Sequence, residues 1–148
     1  MFASNEEALA AATEAYAAYE EIFTIVAAEG GINPERMKPV TSGIYEKGLL
    51  QEMEDIRAKG LRAIGEATFD GVRLQRVDEM APGGVGVVVV YLCSDVSQVD
   101  VLDANSVSQV APARNPRTAL EVGFNWEPGA DGVITVGSRT VWNGGGVC

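Results

Sequence analysis

The chain has 148 residues, 47% of them hydrophobic and 22% charged, with a mean hydropathy of +0.06. This composition is typical of one folded domain and excludes a disordered or fibrous chain. The 11 basic and 21 acidic residues give a net charge of −10, which excludes a nucleic-acid binder because contact with phosphates requires clustered basic side chains. Histidine is absent, so His-based catalytic triads and His metal sites are excluded. We expect no metal ion and no cofactor.

The sequence carries no targeting or spanning signal. No window reaches about 18 uninterrupted apolar residues, so we expect no transmembrane segment. The N-terminus lacks the basic and apolar regions of a signal peptide. Two locations remain open: the cytoplasm, or the cell envelope and exterior for an exported domain without its leader.

Residues 1–60 have the periodicity of helices. Apolar residues at alternating spacings of three and four predict a first helix over about 5–29, which ends at Gly30. The stripe consists of Leu9, Ala12, Tyr16, Tyr19, Phe23 and Val26. Glu20 falls largely off this stripe. A short turn at 33–35 and a further helix over about 42–59 follow.

From residue 62 the apolar period becomes two, which indicates strands. Strands are predicted over 62–78, 87–92, 117–126 and 133–142. Gly71 lies inside the first of them and predicts a β-bulge. In the last strand a single face is expected for Ile134, Val136, Ser138, Thr140 and Trp142.

Helices over about 5–60, followed by consecutive antiparallel strands over about 62–142, indicate an α+β fold. We expect one domain over 1–148, with a flexible tail at 143–148. The long first helix would pack on the concave face of a curved antiparallel sheet.

This order of elements resembles the nuclear-transport-factor-2-like class, a cystatin-like cone that includes the ketosteroid isomerases. The likeness covers nearly the whole chain. It rests on the long first helix, the short helical turn, the helix over about 42–59 that ends at Gly60, and the long strands closing on Trp142. More narrowly, the chain is similar to small exported actinobacterial proteins and lipoproteins of unassigned function. The matching segments are 91–97, 99–103 and the loop 111–117, together with Trp142 and Cys148. The resemblance implies a non-catalytic binding or accessory module, exported and acting at the cell envelope.

Enzymes of this fold place a carboxylate base and a hydrogen-bonding Tyr or Asp inside the cone. Tyr16 resembles the isomerase tyrosine in location, and a phenol can donate a hydrogen bond to a developing enolate. The base would be Asp70, Asp95 or Asp100. The alternative function is therefore an isomerase, hydratase or cyclase with Tyr16 as acid and Asp95 or Asp70 as base. Against it, Tyr16 is better explained as a core residue, and Asp70 as a turn residue at the bulge.

The arginines of the strand region are interpreted as solvated rather than ligand-binding. They are Arg73, Arg76, Arg114, Arg117 and Arg139. A set of aromatic residues either lines a pocket for a small apolar ligand or fills the core. This set is Tyr16, Tyr19, Phe23, Tyr45, Phe69, Tyr91, Trp126 and Trp142. A protein partner, or a homodimer formed through the open sheet face, is a further expectation.

Cys93 and Cys148 are the only two cysteines, so one intramolecular pairing exists. The glycines at 144–146 let the chain end reach back to the central strand. We therefore predict a disulfide, which would favour an oxidising compartment. The alternative is a buried Cys93 thiol with a disordered chain end.

Overall fold

The computed structural model describes residues 1–148, and both α-helices precede all of the strands. Helix α1 covers Asn5–Ala28, a 3-10 helix covers Pro34–Val40, and helix α2 covers Gly43–Ala58. The strands are β1 Arg62–Ile64, β2 Thr68–Val77, β3 Val88–Asp95, β4 Asp100–Leu102, β5 Arg117–Trp126 and β6 Ile134–Val141. The three helical segments pack on a four-stranded antiparallel sheet of order β2-β3-β5-β6. The predicted α+β class is confirmed. None of the helices combines the length and the apolarity that a membrane span requires.

Ser4 caps the N-terminus of helix α1. The Ser4 hydroxyl accepts a hydrogen bond of 3.2 Å from the backbone N–H of Glu7, which satisfies a donor that the first turn leaves free. The stripe faces the sheet as predicted, although Phe23 is only partly buried. The prediction that Glu20 falls largely off this stripe was wrong. Glu20 is only 8% exposed, because it lies one turn after Tyr16 on the same face of the helix.

The core lies between α1 and the inner face of the sheet. Val88, Val90 and Leu92 of β3 point into it, since alternate residues of a strand share a face. Phe124 of β5 is fully buried in the same cluster. Val89, on the opposite face of β3, is also buried. Burial on both faces accounts for the nearly continuous apolar run that predicted a central strand over 87–92.

The predicted strand over 62–78 is divided in two. Gly65 has a φ of +86°, and a side chain there would collide with the carbonyl of Gln98. The chain therefore leaves the main sheet at this point. The first part, β1, pairs with β4 in a separate two-stranded sheet. The second part, β2, pairs with β3, and a register shift between Asp70 and Arg73 confirms the bulge predicted at Gly71.

A second bulge changes the facing of the last strand. Ser138 pairs with Gly123, but Val136 pairs with Phe124, so β6 holds one extra residue. The prediction of a single face through Trp142 was wrong, because an extra residue reverses the alternation of side chains. Ser138 and Thr140 are exposed, while Arg139, opposite Val122, turns toward the helices.

The C-terminal tail returns across the outer face of the sheet. Cys93 and Cys148 form a disulfide with Cα atoms 5.2 Å apart, which confirms the predicted pairing. The Trp142 ring lies 4.7 Å from that of Tyr91, and Arg73 donates a 2.7 Å hydrogen bond to the carbonyl of Gly146. These contacts cover part of the face that a sheet-to-sheet homodimer would use.

Candidate functional site

A cavity of about 130 Å³ lies between α1, α2 and the small β1-β4 sheet. Its apolar lining comes from Phe23, Ala27, Leu49, Ala63, Val96 and Val99. Five polar side chains line the same space: Tyr19, Glu20, Thr24, Tyr45 and Arg139. Glu52 lies at the solvent-exposed rim. An apolar enclosure with a few convergent polar groups is the usual form of a small-molecule site.

Helix periodicity and one bulge assemble the polar groups. Tyr16, Tyr19, Glu20 and Phe23 stand at i, i+3, i+4 and i+7 on α1 and therefore share a face. From the sheet, the Nε of Arg139 donates a 2.9 Å hydrogen bond to the Tyr16 hydroxyl. Without the bulge in β6, Arg139 would point out of the cone.

The two remaining phenols bond to each other across the helices. The hydroxyls of Tyr19 on α1 and Tyr45 on α2 lie 2.7 Å apart. Burial, together with the neighbouring Tyr45, raises the pKa of Tyr19. Burial also raises the pKa of Tyr45, although the hydrogen bond to Tyr19 offsets this in part. Both phenols therefore stay neutral at physiological pH.

Glu20 and Arg139 set the charge of the cavity. Burial raises the pKa of Glu20, and the nearby Tyr16 hydroxyl and Arg139 charge offset this only in part. Burial opposes the charge on Arg139, but the phenol oxygens of Tyr16 and Tyr19 outweigh it and raise the pKa of Arg139. The guanidinium is thus a permanent cation, while Glu20 takes up a proton more readily than an exposed carboxylate.

The predicted carboxylate bases lie elsewhere. Asp70 and Asp95 both accept 3.0 Å hydrogen bonds from Arg117, and neither lines the cavity. Hydrogen bonds from Ser97, and then the contact with Arg117, lower the pKa of Asp95. Asp100 accepts a 2.6 Å hydrogen bond from the Ser108 hydroxyl. The carboxyl group beside Tyr16 is that of Glu20.

The aromatic set divides among three places. Tyr19, Phe23 and Tyr45 line the cavity. Tyr16 and Phe69 pack edge to face at 4.9 Å next to it. Of the others, Trp126 also packs against the core and stacks on Phe2 at 5.5 Å. Tyr91 and Trp142 lie on the outer face of the sheet, outside the cone that the sequence assigned to them.

Sequence reasoning missed the two charged residues of the site. Glu20 had a usable signal, since its spacing from Tyr16 and Tyr19 places it on the buried face. The interpretation of Arg139 as solvated was wrong. Its only signal was Gly137, because an isolated glycine in a strand often marks a bulge. No three Cys, Asp or Glu side chains lie close enough together to hold a metal ion.

Two solved structures share this architecture. The intermembrane space region of the chloroplast protein ARC6 has a TM-score of 0.59 at 14% identity, over 88% of this chain and 92% of that one. The protein Aln2 from a Streptomyces species has a TM-score of 0.53 at 15% identity, over 95% of this chain and 93% of that one. No protein-family model and no curated protein matches the sequence. At such identities the likeness establishes the fold alone, an α+β fold that resembles nuclear-transport-factor-2-like and cystatin-like structures.

Proposed function

We propose that the chain is a binding module that takes a small apolar ligand into the cavity between α1, α2 and the β1-β4 sheet. The observation that carries the proposal is the cavity itself, whose volume is about 130 Å³ and whose walls are mainly apolar. An engineered apolar cavity of about 150 Å³ in another protein holds benzene. The ligand, or the part of it that enters, is therefore about the size of one benzene ring.

Filling the cavity tests this function. Ala27 is buried and lines the cavity, whereas its neighbour Ala28 is exposed on the far side of α1. In Ala27→Leu the added carbons occupy the ligand space, and Leu is a good helix former. We expect phenol, titrated by NMR, to shift amide signals around the cavity in the natural protein and in Ala28→Leu. Ala27→Leu should bind at least about tenfold more weakly. Equal binding by the two variants, or no binding at all, would refute the proposal.

A location outside the cytoplasm is part of the proposal. The Cys93–Cys148 disulfide supports it, because disulfides persist in oxidising compartments and are rare in the cytosol. Membership of the nuclear-transport-factor-2-like class, and kinship with small exported actinobacterial proteins, are part of the same proposal. Thiol titration of the protein in whole cells and in envelope extracts, without reductant, tests the location. A fully reduced pool would contradict it.

An acid-base enzyme is the second candidate, and the observation that favours it is Glu20. This carboxyl lines the cavity with a raised pKa, as a general acid or base requires. It replaces Asp70 and Asp95 in the isomerase, hydratase or cyclase mechanism. If a turnover is found by screening substrates, Glu20→Gln should abolish it. Unchanged turnover in Glu20→Gln would exclude this mechanism.

A further inference from the structure

One guanidinium faces the cavity with hydrogen-bonding capacity to spare. Arg139 makes one hydrogen bond within the chain, from Nε to the Tyr16 hydroxyl. It takes part in none of the ion pairs, which join other residues. Every fully buried side-chain nitrogen has a partner, and Arg139 lines the cavity. Its Nη1 and Nη2 therefore make no hydrogen bond within the chain, and neither atom is fully enclosed.

Two parallel N–H donors of a guanidinium match the two oxygens of a carboxylate. A cation held among apolar side chains gains most from a partner that brings both opposite charge and hydrogen-bond acceptors. We propose that the cavity selects a small monocarboxylate. Its carboxylate bonds to Nη1 and Nη2 of Arg139, and its apolar body lies against Phe23, Leu49 and Val99. This inference rests on the proposed function, since it names the class of ligand for the same cavity.

The other charges around the cavity limit the ligand to a single negative charge. The titratable groups that face it are Tyr19 and Glu20 on α1, Tyr45 and Glu52 on α2, and Arg139 on β6. The walls from β1 and from the segment between β3 and β4 contribute only uncharged residues. One cation cannot offset a phosphate dianion beside two carboxyl groups.

Glu20 couples binding to proton uptake. Its ionised form repels the incoming carboxylate, whereas its protonated form can donate a hydrogen bond to it. The raised pKa of Glu20 agrees with this geometry. The affinity for a carboxylate should therefore increase as the pH falls toward the pKa of Glu20, while a neutral ligand should show a weaker dependence.

The test compares butanoate with butanamide, which have the same size and differ in charge. Each has six non-hydrogen atoms, as benzene has, so both fit the space. Isothermal titration calorimetry at pH 6 on the full chain measures both affinities. We expect butanoate to bind at least about tenfold more tightly, as a bond to a charged donor pair predicts. In Arg139→Gln this preference should disappear. Arg57→Gln, on the solvent face of α2 and 59% exposed, should keep it.

The outcomes separate the two proposals. Equal affinities for the two probes in the natural protein would overturn the carboxylate assignment and leave the apolar site standing. A preference for butanoate that persists in Arg139→Gln would also overturn it. Failure of both probes to bind would overturn the site together with the assignment. Should Arg139→Gln not fold, the comparison of the two probes on the natural protein still decides, since it needs no variant.

Discussion

Loss of the Cys93–Cys148 disulfide should destabilise the fold by up to about 4 kcal/mol, because the bridge restricts the unfolded chain. The bridge spans a sequence separation of 55 residues, and the entropy of closing a loop of that length gives this figure. The enclosed segment includes β5 and β6, half of the main sheet. The native contact between Trp142 and Tyr91 holds the same tail, so the measured loss should not exceed the loop-entropy value.

Urea unfolding followed by circular dichroism measures this loss. The oxidised protein is compared with Cys93→Ala/Cys148→Ala and with the natural protein in excess reductant. The reduced protein is the matched control, because it keeps every atom of the buried Cys93 side chain and lacks only the bridge. Both should unfold at lower urea with a similar slope. A difference below about 1 kcal/mol between oxidised and reduced protein would refute the argument from chain entropy. Two free thiols in denatured protein purified without reductant would refute the bridge itself.

Three further predictions concern the core, the chain break and the buried carboxyl. Phe124→Ala should destabilise by about 3–5 kcal/mol, because this ring is fully buried. Phe23→Ala should cost only about 1–2 kcal/mol, since that ring is partly buried beside a cavity; equal losses in urea melts would contradict the difference in packing. Gly65→Ala should cost at least about 2 kcal/mol, because φ is +86° and the methyl meets the carbonyl of Gln98, and an unchanged melting temperature would rule this out. The raised pKa of Glu20 stabilises the fold at acid pH, and this contribution is lost as the pH rises from about 4.5 through the folded pKa. The stability of Glu20→Gln relative to the natural protein should therefore increase as the pH rises from 4 to 8. If the two curves of stability against pH run parallel, Glu20 titrates normally and the prediction is wrong.

Local sequence determined the elements and their order. The stripe that includes Tyr16 and Val26 predicted α1, and the alternation over 117–126 predicted β5 with the bounds that the structure has. Both signals are local, because a helix or a strand facing one core repeats its apolar residues at its own period. The disulfide was also within reach of the sequence, since two cysteines allow a single pairing.

The tertiary structure alone decided which charged side chains enter the cone. The facing of Arg139 depends on a bulge in β6, and a bulge is set by pairing with a strand that is distant in sequence. The break at Gly65 likewise follows from the approach of Gln98 and from the pairing of β1 with β4. Because the cavity lies where these non-local pairings meet α1 and α2, its lining is a property of the fold and not of any one segment.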